Sequence, residues 1–506
     1  MSFRASFSFV LLLLVQSSFA AELHVPEDYS SIQEAVVAAK SGDVILVEAG
    51  VWTGAGTSVV NTLGKAITIR GSDGEAKTIL DGEGVRRGIV CRSNESPETV
   101  LEFLTVVNGA GQWEDFDFDG EVDLLEIVGG GVFISGASPT VRDCIFDSSA
   151  ADVGAGAWLF WSESRIESCF FTGNDAYLGA GMALEFWARP EMTGCIFEGN
   201  TASDGGGLYA DYGSEADVTE CRFIENSASS HGGGLRSNYA DVALRGSTLR
   251  GNAAGYRGGG MANNFGTVTV EDTILFNNTA LVSGGGWYTT ALTSGAVRSV
   301  CSSNWAPRGG GFHVLGDFQS GDSASFTAGV LAANQADHGG GLAVSGALVV
   351  TIDSSVIAQN ESQISGPAID IAGGPLTIGS TTLCGNTPFD VDTIEGTWND
   401  GGGNEFTDTC SVPTLMGVCC FEDGCELMFE NLCATGLWLE PGADCLECRA
   451  TSCDGDIDLS GTVDVADLLE LIAAWGACQW CPADIDDSGA VDVTDLLILI
   501  AGWGSC

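Results

Sequence analysis

The sequence predicts an all-β fold, a right-handed parallel β-helix, followed by a small cysteine-rich segment and a small α-helical module. Two periodic markers carry this prediction. Glycine triplets or near-triplets begin every 25 to 30 residues, at Gly129, Gly154, Gly179, Gly205, Gly232, Gly258, Gly284, Gly309, Gly339 and, in degenerate form, Gly366. Asparagines recur every 26 residues with one four-residue insertion, at Asn174, Asn200, Asn226, Asn252, Asn278, Asn304, Asn334, Asn360 and Asn386. A unit with a fixed period over this much chain is typical of a solenoid, with one coil per unit.

Within each unit, short apolar or alternating runs are separated by tight turns. In one unit, Val218 and residues 221–223 form such runs, and no stretch has the length or period of a helix. Glycine and asparagine accept left-handed backbone angles more readily than other residues. We therefore expect both markers to occupy left-handed turn positions, and the asparagine side chains to hydrogen-bond from coil to coil.

Two stretches of the chain resemble known families. Residues 25–35 and 42–47 resemble the entry coil of pectin-lyase-like β-helix proteins, and residues 32–39 predict a short helix that caps the open end of the core. The runs Phe197-Glu198-Gly199-Asn200 and 223–226, alternating with glycine triplets, resemble the repeats of polymorphic outer-membrane proteins. These resemblances span residues 23–386; they imply the fold and say little about activity.

The N-terminus reads as a signal peptide. Arg4 precedes an apolar run over residues 7–15, and Ser18-Phe19-Ala20 ends in a small-x-small pattern. We expect a signal peptide at 1–20, the β-helix at 21–409 with an inserted loop at 109–128, a disulfide-held spacer at 410–450, and a C-terminal module at 451–506. The predicted protein is secreted, extracellular or bound at the cell surface, and has no transmembrane segment.

The charge balance excludes some partners. The chain has 68 Asp and Glu against 19 Lys and Arg, for a net charge of -49. Such a surface repels nucleic acid and anionic lipid and attracts divalent cations. Of the 18 cysteines, four form one predicted ladder, Cys144, Cys169, Cys195 and Cys221. We expect this ladder to be an inward-facing core stack. Disulfide bonds between neighbouring coils are an alternative that the spacing allows but does not imply.

A second predicted ladder is aromatic. The residues seven positions after the first glycine in five successive units are Trp161, Phe186, Tyr212, Tyr239 and Phe265. We favour a structural stack, because strand parity places these residues inward as easily as outward. The functional alternative is a substrate-binding track on which the rings hold the sugars of an oligosaccharide.

A third ladder lies directly before the glycine triplets. Its members in six successive units are Asp204, His231, Arg257, Ser283, Arg308 and His338. Asp204, His231 and Arg257 are candidate catalytic residues, with Arg308 and His338 as candidate substrate-binding residues, because a polysaccharide lyase uses a basic side chain and a metal-binding carboxylate. We favour the alternative of a polar turn open to water, yet this edge is the best candidate cleft.

Three loops have the residue pattern of calcium-binding sites. Residues 115–126 match the EF-hand loop, with Asp115, Asp117, Asp119, Asp123 and Glu126 at positions 1, 3, 5, 9 and 12. The segment 453–478 is repeated 28 residues later, and the two copies offer as ligands Asp456, Asp458, Ser460, Thr462, Asp464 and Asp467, then Asp484, Asp486, Ser488, Ala490, Asp492 and Asp495. Each loop precedes a predicted short helix, at residues 468–475 and 496–503.

This duplicated module resembles a dockerin, which implies calcium as cofactor and a cohesin as partner. Positions 10 and 11 hold Val465-Ala466 and Val493-Thr494 instead of the Ser/Thr pair of cellulosomal dockerins, so the partner is a cohesin-like or another cell-envelope protein. Two functions follow. We favour a non-catalytic surface or matrix protein anchored by this module. The alternative is a polysaccharide-active enzyme, a pectate-lyase-like lyase or a glycoside hydrolase, that acts on acidic glycans with Arg257 or Arg308 as base.

Overall fold

The computed structural model describes residues 20–72, 74, 77–115, 125–290, 293–316, 323–346, 348–387 and 393–407, together with short stretches beyond residue 415. The chain divides into two compact units, Met1–Thr409 and Cys410–Cys506. The first unit is a right-handed parallel β-helix, as predicted. The predicted signal peptide falls almost wholly outside the described residues. No helix among the described residues is long and apolar enough to cross a membrane.

Each coil passes through four sheets, which we name A, B, D and C in the order in which the chain enters them. In one coil the strands are Glu215–Thr219, Arg222–Ile224, Ser227–His231 and Leu235–Asn238. Each pairs in parallel with its counterpart in the next coil, and the register keeps equivalent residues side by side. A residue type that recurs at the coil period therefore forms a continuous ladder.

The strands of the described residues are as follows. Sheet A contains Glu22–Val25, Val44–Val47, Thr68–Gly71, Val100–Glu102, Thr140–Arg142, Arg165–Glu167, Glu191–Thr193, Glu215–Thr219, Asp241–Arg245, Thr267–Glu271, Thr293–Val297, Ser323–Thr327, Val349–Asp353, Leu376–Gly379 and Trp398–Gly402. Sheet B contains Gly50–Trp52, Thr78–Asp81, Thr105–Val107, Ile145–Asp147, Phe170–Thr172, Ile196–Glu198, Arg222–Ile224, Thr248–Arg250, Ile274–Phe276, Val300–Ser302, Val330–Ala332, Val356–Ala358, Thr382–Cys384 and Glu405–Thr407.

Sheet C contains Ser58–Asn61, Arg87–Cys91, Val132–Ser135, Ala157–Phe160, Met182–Glu185, Leu208–Asp211, Leu235–Asn238, Met261–Asn264, Trp287–Thr290, Phe312–Leu315, Leu342–Ser345, Ile369–Ile371 and Ile394–Glu395. Sheet D contains Gln112–Trp113, Ile127–Val128, Ala150–Val153, Asp175–Leu178, Thr201–Asp204, Ser227–His231, Ala253–Ala254 and Thr279–Ala280, and single bridges continue it to Gln335–His338 and Glu361–Ser365.

The second unit is described only in part. Met416–Phe421 pairs antiparallel with Gly424–Phe429 and Leu437–Leu439, Thr462–Val463 with Gly504–Ser505, and Gly476–Ala477 with Ala490–Val491. The described helical positions are Leu468, Leu471, Ile472, Val493, Leu496 and Leu499. Most of the predicted spacer and calcium loops lie outside the described residues, so the calcium module stays a prediction.

The predicted capping helix is confirmed. It spans Ile32–Ala38 and begins at Ser31, whose side chain accepts a hydrogen bond from the backbone N–H of Glu34 at 3.2 Å. Its buried residues belong to the same core as the inward side chains of the sheets. The helix therefore covers the first coil, as an open solenoid end requires.

The cysteine ladder faces the core, as expected. The four side chains are buried free thiols, and burial is the largest cause that raises the pKa of Cys169. Next to them four phenylalanine rings stack with centroid separations of 5.0, 4.9 and 4.8 Å, in the order Phe146, Phe171, Phe197 and Phe223. Sulfur and aromatic columns thus fill the core along the axis.

The asparagine ladder is buried and fully bonded. Asn226 Nδ2 donates to Phe197 O at 2.8 Å and to Asn252 Oδ1 at 3.0 Å, and its own Oδ1 accepts from the backbone N–H and Nδ2 of Asn200. The predicted coil-to-coil hydrogen bonds are confirmed. The predicted left-handed angles are wrong for these asparagines, because the left-handed residue is the one before each of them, such as Glu225 with φ 52°. The turn points that residue outward and the asparagine inward.

For the glycine triplets the prediction holds. The first glycine takes a positive φ, as in Gly205 with φ 66°, where a side chain would be strained. A Cβ on the third glycine, Gly207, would lie 2.6 Å from the backbone oxygen of Gly234 and 2.8 Å from the Phe223 ring. The triplet therefore permits both the turn and the close approach of coils.

Candidate functional site

Sheet D turns back against the outer face of sheet C at each glycine triplet. Along one sheet C strand, Leu208 and Ala210 enter the core, so Tyr209 and Asp211 point outward. Tyr209 and Trp158 nevertheless pack in a second buried cluster with Leu178 of sheet D. We call this contact zone the C/D seam. Its sheet D members directly precede the triplets, and its sheet C members are the residues four positions after each first glycine.

The seam changes character along the axis. Its N-terminal half has an apolar cluster, with Val128, Val153 and Leu178 from sheet D against Phe133, Trp158 and Tyr209 from sheet C, and the guanidinium groups of Arg87 and Arg92 lie over the Phe133 ring. In the next coils the sheet D members are Asp204, His231, Arg257, Ser283, Arg308 and His338, and the polar sheet C members are Arg236, Tyr288, His313 and Asp370. Three arginines and three of the chain's four histidines thus meet in this polar half.

The structure places the three candidate catalytic residues in consecutive rungs of one ladder. The ring nitrogen Nδ1 of His231 lies 3.0 Å from Asp204 Oδ1 and 2.7 Å from Ser230 Oγ. Both side chains are about one-fifth exposed, since 22% of His231 and 20% of Asp204 reaches solvent. This edge is partly covered, because sheet C lies against one side of it, while the other side stays open to water.

Arg257 has an unusual environment for this acidic chain. Its Nη1 donates to the hydroxyl of Tyr288 at 2.9 Å, and its guanidinium lies 4.5 Å from the Tyr256 ring centroid and 4.8 Å from that of Tyr288. Within the described part of the chain, no carboxylate forms an ion pair with it. The positive charge therefore contacts one hydroxyl group and two aromatic rings.

The far end of the polar half is a connected network. Arg308 Nη1 lies 3.5 Å from Asp370 Oδ2, and Ser365 Oγ donates to Asp370 Oδ1 at 2.8 Å and lies 2.7 Å from His338 Nδ1. His313 is buried beside them. Burial, and then the charges of Arg308 and Arg257, lower the pKa of His313 to about 3, so this imidazole stays neutral at physiological pH.

Several buried polar groups of the seam are not satisfied by the protein. Arg236 is buried, burial lowers its pKa, and its Nε lies 3.8 Å from Asp204 Oδ1, beyond hydrogen-bond distance. Among the described residues, four buried atoms of the seam have no hydrogen-bond partner: Arg236 Nη1, Arg257 Nε, Ser283 Oγ and His313 Nδ1. These atoms come from four consecutive coils, so the unpartnered groups form a continuous row along the solenoid axis.

The structure places the aromatic ladder at the surface, where its rings stack on one another. Trp161, Tyr212 and Tyr239 are 58%, 53% and 57% exposed, while Phe186 and Phe265 are half-buried. Neighbouring rings pack together, with centroids 4.6 Å apart for Phe186 and Tyr212 and 4.5 Å apart for Tyr239 and Phe265. The ladder lies just after the sheet C strands, at the side of sheet C away from the seam.

The backbone at these rings is left-handed. The φ angles lie between 48° and 55° for the five ladder residues, and Trp187, which sequence reasoning missed, has φ 60° and is 55% exposed. At the same turn of other coils the chain has glycine, as in Gly136 with φ 57° and Gly346 with φ 83°. Non-glycine residues adopt such angles at the other turns of the coil as well, for example Glu220 and Glu225, so this turn is distinguished by the size and exposure of its side chains.

Two carboxyl groups lie on sheet C beside the ladder. Glu185 Oε2 accepts from the indole N–H of Trp158 at 2.8 Å, and burial raises the pKa of this carboxyl to about 7. Asp211 accepts from Tyr209 at 2.5 Å and from Asn238 at 3.1 Å. These groups, like Arg236 and His313, were missed from sequence. The available signal was that polar residues recur four or six positions after several of the first glycines.

The predicted calcium loops are described only at their margins. Residues 116–124 lie outside the described residues, and Glu126 accepts a hydrogen bond from the indole N–H of Trp113 at 2.9 Å. Of the predicted C-terminal ligands, the description reaches only Thr462 and Ala490. A search of the described residues gives no group of three or more His, Cys, Asp or Glu side chains able to hold a metal ion.

A comparison with protein-family models agrees with the fold. A family model for right-handed β-helix regions matches residues 123–301. No curated protein matches the chain. Among solved structures, the catalytic unit of a thermostable GH87 α-1,3-glucanase from Streptomyces thermodiastaticus strain HF3-3 is similar at 15% identity, with 78% of this chain and 68% of that chain covered and a TM-score of 0.39.

Two further solved structures resemble the chain. The PL6 family alginate lyase AlyGC is 12% identical, with 77% of this chain and 81% of that chain covered and a TM-score of 0.28. The receptor-binding domain of the Siphovirus 9NA tailspike is 10% identical, with 80% and 81% covered and a TM-score of 0.31. We draw no functional argument from likenesses of this degree.

Proposed function

We propose that this protein binds a polysaccharide along the outer face of sheet C, with the aromatic ladder as the surface for the sugar rings. The observation that carries the proposal is the set of exposed aromatic side chains at left-handed turn positions where other coils have glycine. A left-handed angle costs a non-glycine residue roughly 1–2 kcal/mol. Non-glycine residues adopt the same angle at other turns, as Glu220 and Glu225 do, so it is the exposure of large aromatic rings in adjacent coils that marks this surface.

The geometry suits an extended ligand. Exposed aromatic faces combine a large apolar area with low conformational freedom, which favours contact with the C–H faces of sugars. Successive rings follow the coil repeat of roughly 4.8 Å, so the surface runs parallel to the solenoid axis. A linear glycan on this surface contacts several rings at once.

Binding measurements test this proposal. Trp161→Ala and Tyr239→Ala should each weaken binding of a retained oligosaccharide, measured by titration calorimetry against a panel of neutral and acidic glycans. Tyr177→Ala is the matched control, since Tyr177 is 50% exposed but lies on sheet D. Equal binding by all three variants would overturn the aromatic-ladder assignment.

The same panel of glycans also tests the alternative that the protein is an enzyme. In the catalytic alternative, Arg257 or Arg308 removes a proton next to a uronic carboxylate. The exposed position of Arg308, one-third of whose side chain reaches solvent, favours access to substrate. Release of unsaturated products, lost in both Arg257→Ala and Arg308→Ala, would identify a lyase. Binding without products would support the non-catalytic surface protein that the sequence favours.

The C-terminal module is the proposed anchor, with calcium as its cofactor and a cohesin-like or cell-envelope partner. Carboxylates crowded in one small loop repel each other without a cation, so metal binding and folding of the loop are coupled. After chelation, the full chain should take up calcium in a titration, and Asp467→Ala and Asp495→Ala should each lose one ion. Asp400→Ala, an exposed change in the β-helix, should lose none.

A further inference from the structure

Trp161 and Trp187 form an exposed pair at the N-terminal end of the aromatic ladder. Trp161 is 58% exposed and Trp187, in the next coil, is 55% exposed. Their ring centroids lie 6.3 Å apart at an interplanar angle of 36°. We call these two residues the tryptophan pair. Together the two indole rings offer one tilted apolar surface on the outside of the solenoid.

The indole N–H groups of the tryptophan pair are not used by the described part of the protein. The buried Trp158 donates to Glu185 at 2.8 Å, and Trp287 donates to Asn263 at 2.6 Å, so both of these indoles are satisfied within the fold. Among the described residues, neither Trp161 nor Trp187 has an acceptor for its indole N–H. Each is therefore a donor that a sugar hydroxyl or ring oxygen can accept.

The backbone of the next coil leaves room for the Trp187 ring. The residues at the equivalent position of the other ladder coils are small, namely Ser162, Gly213, Ala240 and Gly266. A Cβ on Gly213 would lie 3.0 Å from Trp187 Nε1 and 3.2 Å from Trp187 Cδ1. The indole thus lies over this glycine, and a larger residue there would displace it.

The charge near the tryptophan pair disfavours an anionic ligand. Glu163, two residues after Trp161, is exposed and forms no ion pair with a described residue. Arg189, two residues after Trp187, is paired with Glu215 at 2.8 Å. The chain as a whole carries a net charge of -49. Like charges on a ligand and on this surface repel each other within a Debye length, about 10 Å at 0.1 M salt.

We propose that the tryptophan pair is a binding subsite for the pyranose rings of an uncharged polysaccharide, and that this face discriminates against glycans with carboxylate groups. The inference rests on the proposed function and names its class of ligand. Sugar C–H groups pack on the two indole rings, sugar oxygens accept from the indole N–H groups, and sugar hydroxyls donate to Glu163. These side chains are all exposed, so an extended glycan reaches them without any movement of the fold.

Titration calorimetry of the full-length protein with matched pairs of oligosaccharides tests this inference. The probes are cello-, laminari- and manno-oligosaccharides, each beside the form in which the primary alcohols are oxidised to carboxylates. Oxidation keeps the ring and the linkage and adds the charge. We expect at least one neutral probe to bind about tenfold or more tightly than its oxidised form. This preference should shrink at high salt, because salt screens the repulsion between exposed charges.

Variants of Trp187 test the subsite. Trp187→Ala should bind the neutral probe about tenfold more weakly, because it removes both a ring surface and a donor. Trp187→Phe keeps a ring and loses the N–H group, so it should lose less. Trp305→Ala is the matched control, because Trp305 is 39% exposed but lies on sheet D. It should bind as wild type does.

A variant of Glu163 tests the charge discrimination. Glu163→Gln removes the negative charge and keeps a carbonyl acceptor, so the affinity for the oxidised probe should rise relative to that for the neutral probe. Glu225→Gln is the control, because Glu225 is exposed in the turn between sheets B and D. It should keep the wild-type preference. Thermal unfolding of each variant shows whether the fold is kept.

The failure of this inference is distinguishable from the failure of the proposed function. If wild type binds oxidised probes as tightly as neutral ones or more tightly, or if Trp187→Ala binds as wild type while the Trp161 and Tyr239 variants lose affinity, this inference is wrong and the proposed function stands. If no glycan of either panel binds, or if none of the aromatic variants changes affinity, both are wrong.

Discussion

The asparagine ladder and the C/D seam are both stacks of buried polar side chains, and they differ in how fully those side chains are bonded. Each internal asparagine bonds to the asparagines on both sides and to a backbone oxygen of an earlier coil, as Asn226 does. In the seam, four consecutive coils each leave a buried atom without a partner among the described residues.

This difference distinguishes polar side chains whose hydrogen bonds are all made within the fold from polar side chains that keep unused hydrogen-bonding groups. A buried network in which every group is paired stabilises one register of the coils. A network with unmet hydrogen-bonding capacity is less stable by itself and gains from an added ligand. The same solenoid period thus builds a fully bonded column inside the core and an incompletely bonded column at the seam.

The largest effect that we predict is for Asn226→Leu. The variant leaves two donors of Asn200 without their acceptor, and it removes the side-chain donor to Phe197 O and one of the two donors to Asn252 Oδ1. We expect a loss of about 4 kcal/mol in the free energy of unfolding, measured by urea denaturation. Asn399→Leu, at an exposed position, should change the value by less than about 0.5 kcal/mol. Similar losses in the free energy of unfolding for the two variants would show that the asparagine ladder does not stabilise the fold more than an exposed side chain does.

A second prediction concerns pH. Because the folded-state pKa of Glu185 is raised from 4.5 to about 7, the folded protein binds more protons than the unfolded chain between these values, and stability falls as pH rises through that window. At about 1.4 kcal/mol per pH unit, the full effect is about 3 kcal/mol. Glu185→Gln should be more stable than wild type at pH 8 relative to pH 4.5. Glu191→Gln, an exposed control, should follow the wild-type profile.

A smaller effect is expected in the seam. Arg236→Met removes a desolvated charge whose nearest carboxylate is 3.8 Å away, and it relieves an unpartnered Nη1. Stability without ligand should change by no more than about 1 kcal/mol, in contrast to Asn226→Leu. A loss as large as that of Asn226→Leu would show that the seam is as well satisfied as the inner ladder.

The smallest effect is expected at the aromatic ladder. Trp161→Gly relieves a left-handed angle that the equivalent Gly136 adopts without strain, and it loses packing against Phe160 and Trp187. These two changes oppose each other, so the free energy of unfolding should change by less than about 1 kcal/mol. Glycan binding should be lost. If the variant were strongly destabilised, we would conclude that Trp161 stabilises the fold and is not present for ligand binding.

Much of the solenoid was predictable, because a strict period determines which residues are neighbours. The spacing of Asn200 and Asn226 predicted their hydrogen bond, and the offset of Cys221 from Phe223 was consistent with a shared inward face. The left-handed position was misplaced by one residue. Pattern alone does not distinguish a turn residue that points outward from the one that follows it inward.

The binding face was less predictable, because it depends on how the sheets fold against each other. Alternation in sheet C indicates that Arg236 points outward, but only the fold shows that sheet D covers it. Trp161 lies in a turn, where strand parity does not apply, so its exposure could not be decided from sequence.

The coil register has a further consequence for the length of the molecule. Each strand hydrogen-bonds only to the same strand of the coils before and after it, and the asparagine bonds follow the same rule. Loss or duplication of one 26-residue unit would therefore leave every remaining pair in register while shortening or lengthening the face by one rung. The number of units therefore determines the length of the face, and a change in that number creates new side-chain contacts only where the altered unit meets its neighbours.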